Sequence, residues 1–235
     1  MKKHAKGFTL VELLVVIAIL CVLMGALVAN IMGAIAKSQM TAMAANGKKI
    51  VDALIAESVD GNDIWPHESE KDGLVTGESD EVYGTTYGTS TLYFQKLFDV
   101  TRQTQPEWKP YIDGKLLECL WGNGVNPAAP GSLQQANVAW TIVSGASGID
   151  NIPALITRNA DTSQFPKSGT TDMSTKKEEI SLTKYPTPFG TKGCVIIMKD
   201  SSANKLEARK CKLNEIYNKR VVIIPEGMTL KYLEP

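Results

Sequence analysis

The sequence predicts an α+β protein, in which one long amino-terminal helix spans a membrane and its C-terminal half packs on a small antiparallel β-sheet. Three observations predict this fold. No charged side chain occurs in residues 13–36, apolar residues recur at three- and four-residue spacing from Met40 to Ile55, and short β-branched segments occur in the C-terminal part of the chain. No proline precedes Pro66, so nothing interrupts a helix over residues 8–59.

The first part of this helix, residues 8–36, is the predicted transmembrane segment. Its uncharged run of 24 residues is about 36 Å long as a helix, whereas the hydrocarbon core of a bilayer is about 30 Å thick. The basic leader, residues 1–7, contains three lysines, which are expected on the cytoplasmic side.

An ordinary signal peptide is the alternative interpretation, with Ala34-Ile35-Ala36 as its cleavage site. The apolar run is longer than the roughly 7 to 15 residues that are typical of signal peptides. Glu12 also lies within it, and an unpaired carboxylate in a membrane costs about 2.5 kcal/mol or more. A retained membrane anchor, in which Glu12 has a partner, is therefore favoured.

The residues around Glu12 form a specific motif. The stretch Lys6–Ile19 reads KGFTLVELLVVIAI, and it resembles the class III leader of type IV pilins and of type II secretion pseudopilins. The resemblance implies cleavage between Gly7 and Phe8, followed by N-methylation of Phe8. It also implies that Glu12 pairs with the α-ammonium group of Phe8 in a neighbouring subunit and so sets the axial register of a filament. The alternative is that the Glu12 carboxylate only reaches the membrane surface.

The same resemblance implies a set of partners and a location. The partners are a prepilin peptidase and methylase, other pilin-like subunits in a homo- or heteropolymer, and an inner-membrane assembly platform with its ATPase. The precursor is expected to cross the bacterial inner membrane once, with its head in the periplasm. After assembly it is expected in a periplasmic or extracellular filament.

Residues 37–59 are predicted to continue the helix as an amphipathic segment, whose apolar side packs on the sheet. Small residues let neighbouring backbones approach closely, so Gly25, Asn30, Gly33 and Gly47 are the predicted sites of close packing or bending.

The next segment, residues 60–91, is predicted to be an exposed acidic loop. It contains eight carboxylates, one lysine and five glycines. Clustered carboxylates suit calcium, and some pseudopilins that this chain resembles bind it. The stretch Asp60-Gly61-Asn62-Asp63 does not fit EF-hand spacing, however, so no cofactor is predicted and calcium is the alternative.

Residues 92–235 are predicted to form the head. Its run from Cys194 to Met198 is continuously apolar and predicts a strand buried on both faces. The polar stretch 200–204 predicts a hairpin connection, and the pattern of residues 92–100 fits either a helix or a strand. Residues 123–137 and 166–180 are predicted to be surface loops. The predicted strands are Val138–Ser144, Ala154–Arg158, Cys194–Lys199, Lys205–Lys210, Val221–Ile224 and Thr229–Tyr232.

Four cysteines are present, and Cys21 lies in the apolar run as a small apolar residue. The other three fall in the part expected outside the cytoplasm, where disulfides form. Cys194 and Cys211 flank the predicted hairpin, and a bridge between them would stabilise the fold by roughly 3 kcal/mol. Cys119 paired with either of them is the alternative.

Charge and histidine content restrict the function. The chain has 25 basic and 25 acidic residues; loss of the leader removes three lysines, which leaves 22 minus 25, or minus 3, and no nucleic-acid partner is predicted. The only histidines are His4 and His67, so a histidine-rich zinc centre is excluded and His-dependent catalysis is confined to His67.

The sequence therefore predicts a non-enzymatic structural subunit of a type IV pilus-like or type II secretion filament. The alternatives are a minor pilin or adhesin that displays a binding head and, less favoured, a membrane-anchored periplasmic enzyme. Nothing in the head sequence separates secretion from motility, adhesion or DNA uptake.

Overall fold

The computed structural model describes residues 8–60, 89–97, 114–127, 133–145, 149 and 151–235. The predicted leader, residues 1–7, and most of the predicted acidic loop, residues 61–88, lie outside this described part. The chain divides into two compact units, Met1–Gln39 and Met40–Pro235, which are described separately below.

Helix α1 (Leu10–Asp60) begins in the first unit and continues into the second. From Phe8 to Ile35 every described side chain is exposed, although almost all of these side chains are apolar. By length and composition the helix is sufficient to cross a membrane, as the sequence predicts.

The second unit contains a five-stranded antiparallel sheet, in which the strands follow the order β5-β4-β2-β1-β7. A separate two-stranded sheet pairs β3 with β6. The predicted α+β fold with a long apolar helix and an antiparallel sheet is thus confirmed. The strands are β1 (Trp140–Ser144), β2 (Pro153–Thr157), β3 (Thr170–Asp172), β4 (Gly193–Met198), β5 (Ala203–Glu207), β6 (Val221–Ile223) and β7 (Lys231–Leu233).

One face of the five-stranded sheet packs against the C-terminal half of α1. Gly47 faces the sheet there, and a Cβ atom at this position would lie 2.6 Å from Ile197 Cγ1 and 2.7 Å from Trp140 Cη2. Helix α2 (Ser90–Leu97) adds Tyr93, Phe94 and Leu97 to the same apolar cluster. From α1 the cluster includes Met40, Met43, Ala44, Ile50, Val51 and Leu54.

The opposite face of the sheet is covered by a second apolar cluster, built from the C-terminal part of the chain. It includes Val222 of β6 and residues of the short helix α3 (Leu213–Ile216). Strand β4 serves both clusters: Val195 and Ile197 belong to the one beside α1, and Cys194, Ile196 and Met198 to the other. The prediction that this strand is buried on both faces is confirmed, since all six of its residues are buried.

Several predicted element boundaries are corrected. The 166–180 segment is not only a surface loop: it contains β3, and Met173 and Ile180 within it are buried. The undecided 92–100 segment forms α2 as far as Leu97, and residues 98–100 lie outside the described part. The predicted strand 205–210 begins earlier, at Ala203, because β4 and β5 are joined by a tight hairpin. Residues Ala208–Lys210 instead form a 3₁₀ turn.

Candidate functional site

The amino-terminal end of α1 has a reciprocal cap made by Thr9 and Glu12. The Thr9 backbone N–H and hydroxyl donate to Glu12 Oε2 at 2.8 and 2.7 Å, and the Glu12 N–H donates to Thr9 Oγ1 at 3.3 Å. This is a capping box, in which a threonine and a glutamate three residues later satisfy otherwise unpaired donors of the first helical turn. A helix start also favours a negative charge through its macrodipole.

The capping role of Glu12 was absent from the interpretation of the sequence. The signal was present, because Thr9-Leu10-Val11-Glu12 has the threonine-to-glutamate spacing of a capping box. Phe8 lies beside this cap with 76% of its surface exposed, whereas Gly7 is outside the described residues. The assigned cleavage between Gly7 and Phe8 and the pairing of Glu12 with a neighbour therefore stay predictions.

In the uncleaved chain the nitrogen of Phe8 is an amide joined to Gly7, so it carries no charge. An α-ammonium group exists at Phe8 only after the peptide bond is cut. Until then, the described partner of the Glu12 carboxylate is Thr9. Cleavage would therefore create a cation at Phe8, beside Thr9, whose backbone N–H and hydroxyl already orient the Glu12 carboxylate.

The predicted cysteine pair meets in the cluster on the sheet face opposite α1. The Sγ atoms of Cys194 and Cys211 are 3.1 Å apart, and both side chains are buried thiols. Their hydrogen bond and burial raise the pKa of Cys194, whereas the same hydrogen bond lowers the pKa of Cys211. Cys119 belongs to the cluster beside α1, where burial raises its thiol pKa. The structure thus brings Cys194 and Cys211 together and places Cys119 in the other cluster.

A buried guanidinium organises the loops at one end of the sheet. Arg158 is only 7% exposed and donates to the backbone carbonyls of Gln135, Val138 and Thr187 and to the Thr187 hydroxyl. Its guanidinium also lies 5.4 Å from the centre of the Tyr185 ring. Burial lowers the pKa of Arg158 from its ordinary value. The sequence pattern gave no sign of this role, because it places Arg158 only at the end of a strand.

Within the described residues, no group of three or more His, Cys, Asp or Glu side chains is arranged to hold a metal ion. The predicted alternative of calcium in the acidic segment falls mostly on residues 61–88, outside that part of the chain. Cofactor binding therefore stays untested.

Comparison with known proteins identifies the amino-terminal segment. Residues 2–28 match the protein-family model described as the prokaryotic N-terminal methylation motif, which is the class III prepilin leader. No curated protein and no solved structure gives a significant match to the chain. The match covers the cap formed by Thr9 and Glu12 and most of the exposed apolar part of α1, and it ends well before the head.

Proposed function

We propose that the chain is a structural subunit of a pilus-like or type II secretion filament, because residues 2–28 match the prepilin methylation motif. A prepilin peptidase and methylase cuts it between Gly7 and Phe8 and methylates Phe8. The subunit then leaves the bilayer with the aid of an inner-membrane platform and ATPase, and it polymerises with other pilin-like subunits through α1.

The observation that carries this proposal is an exposed apolar helix with a single carboxylate at its start. The methylation motif covers that carboxylate, Glu12, and residues 13–36 have no other charge. Side chains as large as Leu14, Ile17 and Leu23 are about half exposed or more. Such a surface is stable only in lipid or among similar helices. The precursor has the lipid environment, and the core of a filament provides similar helices after assembly.

The Glu12 carboxylate supplies the specificity that apolar packing lacks. A helix that is apolar all round can slide along its neighbours with little loss of contact. A buried charge must be matched by an opposite charge. Neighbouring helices can therefore pack only at axial positions that bring a cation to Glu12. The methylated amino group of Phe8 in an adjacent subunit is the cation that processing creates.

The head favours a structural role over an enzymatic one. The described residues of the head contain no histidine, and its buried polar side chains include Arg158 and Asn159, which hold backbone carbonyls. These contacts fix loops and strand ends in place.

Processing is tested by intact-mass analysis of the chain isolated from native membranes. The expected mass is that of residues 8–235 with one added methyl group, since the motif directs both steps at Phe8. A Gly7→Ala variant, which changes only the residue before the cut, serves as the control and is expected to accumulate uncleaved. A chain that begins at Lys37 would contradict the proposal and restore the signal-peptide interpretation.

A further inference from the structure

The contact between Cys194 and Cys211 joins β4, an interior strand of the sheet, to a segment that lies over the sheet. Cys194 is on β4, next to the edge strand β5, and Cys211 follows the 3₁₀ turn at the end of β5. Both residues are 0% exposed, with their sulfur atoms 3.1 Å apart. Buried thiols are unreactive towards reagents in solution, whatever their mutual distance.

Residues 208–217, here called the closing segment, are what covers these thiols. Their apolar side chains Leu213, Ile216 and Tyr217 are buried in the same cluster as Cys194. The segment is also fastened at its start: Ile180 N–H donates to Cys211 O at 2.8 Å.

Further contacts tie the closing segment to the preceding loop. Lys212 forms an ion pair with Glu179 at 3.7 Å, and the Asn214 N–H donates to Lys176 O at 3.0 Å. An external oxidant therefore reaches the thiols only while the closing segment is away from the sheet.

We propose that Cys194 and Cys211 are oxidised to a disulfide during folding in the periplasm, before the closing segment packs on the sheet, by exchange with an external dithiol-disulfide oxidant. The Cys211 thiolate attacks one sulfur of that disulfide and expels the other as a thiolate. Cys194, as a thiolate after loss of its proton, then attacks the Cys211 sulfur and releases the oxidant in its dithiol form. Two electrons and two protons pass to the oxidant.

The order of attack follows from the fold. Cys211 is carried on the segment that moves, so it meets the solvent first, whereas Cys194 stays on β4, an interior strand of the sheet. Cys119 takes no part because it lies in the cluster on the α1 side of the sheet. Once the segment has closed, the bond is out of reach of reductants as well.

The test compares oxidation of the folded and unfolded full-length chain. The chain is isolated from native membranes with thiols alkylated at lysis, and non-reducing peptide mapping is expected to find Cys194 linked to Cys211 and Cys119 free. The detergent-solubilised chain is then reduced, refolded and treated with oxidised glutathione, either folded or in urea. Linkage in the folded chain is expected to be about 100-fold slower, since it requires local opening.

The control is Cys119→Ala, which removes the thiol of the other cluster and is expected to leave both the linkage and the rate difference unchanged. Free Cys194 and Cys211 thiols in the native chain would overturn the proposal. Equal rates for the folded and unfolded chain would overturn it as well, because they would show that the closing segment gives no protection. Neither result depends on whether the chain enters a filament.

Discussion

At the scale of single residues, Glu12 is held by its own chain before any neighbouring subunit is present. Both Thr9 bonds go to Oε2, and a carboxylate has about four acceptor positions on its two oxygens. The cap therefore orients the group while leaving capacity for a cation. This arrangement lowers the cost of keeping a carboxylate at the start of an apolar helix, and it fixes the direction from which a partner can approach.

Two substitutions of Glu12 separate its cap from its charge. Glu12→Ala removes both, whereas Glu12→Gln retains an oxygen that can accept from Thr9. If the charge sets the register, both variants are expected to be cleaved normally and to lose at least about 10-fold in filament incorporation, a difference of about 1.4 kcal/mol. The measurement is the ratio of filament to membrane-bound chain on immunoblots.

The matched control for this prediction is Thr9→Ser, which retains a hydroxyl for the cap and is expected to assemble like the wild type. Normal assembly of Glu12→Gln would assign the role of Glu12 to the cap alone.

The sequence singled out Glu12 because an unpaired carboxylate in an apolar segment is unfavourable, but the hydrogen bonds between Glu12 and Thr9 were overlooked. This unfavourable charge can be recognised from the sequence alone, because Glu12 is the only charged residue between the leader and Lys37. The capping spacing is also visible. The role of Arg158 is different in kind, since its partners are carbonyls from segments 20 and 29 residues away, which no local pattern brings together.

At the scale of elements, the predictions hold where burial is strong. Strand β4 is apolar throughout because both of its faces are covered, and its limits differ from the prediction by one residue at each end. Strand β3 was missed because Thr170–Asp172 is polar and mostly exposed, so only its pairing with β6 marks it as a strand. The sequence did not decide between a helix and a strand for the segment that forms α2, because the segment is short. In the structure, the Leu92 N–H donates to the Thr89 hydroxyl, which is a hydrogen bond typical of a helix start.

The contact between α1 and the sheet depends on Gly47. Gly47→Ala places a methyl group within 2.6 Å of Ile197 Cγ1 and 2.7 Å of Trp140 Cη2, closer than carbon atoms pack. The free energy of unfolding is expected to fall by about 1–3 kcal/mol, because overpacking forces the helix away from the strands. Urea unfolding of the detergent-solubilised chain, followed by tryptophan fluorescence, measures it.

Gly33→Ala is the matched control, since nothing lies within 4 Å of a Cβ at that position. It is expected to leave stability unchanged or to raise it by up to about 1 kcal/mol through helix propensity. A Gly47→Ala chain as stable as Gly33→Ala would show that the helix does not need close contact with the sheet.

At the scale of the whole molecule, the head is a sheet with a different covering on each face. The α1 side is formed by the helix whose start matches the N-terminal methylation motif, and the other side is formed by the C-terminal part of the chain. The two cysteines of the proposed disulfide lie on the second side, so that side can be locked covalently without constraining α1. Sequence patterns predict both layers but not which segments share a face, because that depends on strand order.

The second face also contains the buried Tyr217 and the half-buried Tyr232, which make stability depend on alkaline pH. Burial raises the pKa of Tyr217 well above its ordinary value of 10.0, and burial likewise raises the pKa of Tyr232, whose hydroxyl donates to Pro166 O at 2.8 Å. In the unfolded chain both ionise near pH 10, while in the folded chain they stay protonated. The unfolded state thus binds fewer protons above pH 10, and stability is present below that pH and falls as the pH rises above it.

Tyr217→Phe isolates this effect, because it removes one of the two hydroxyls and keeps the ring that packs on Phe165. Between pH 10 and 12, roughly the range in which the unfolded tyrosine is ionised, the decline in the free energy of unfolding is expected to be shallower by up to about 1.4 kcal/mol per pH unit. Urea midpoints measured across this range test the slope, which is independent of any uniform change in stability. An unchanged slope for Tyr217→Phe would show that the hydroxyl ionises without unfolding and that the second face opens more readily than its burial implies.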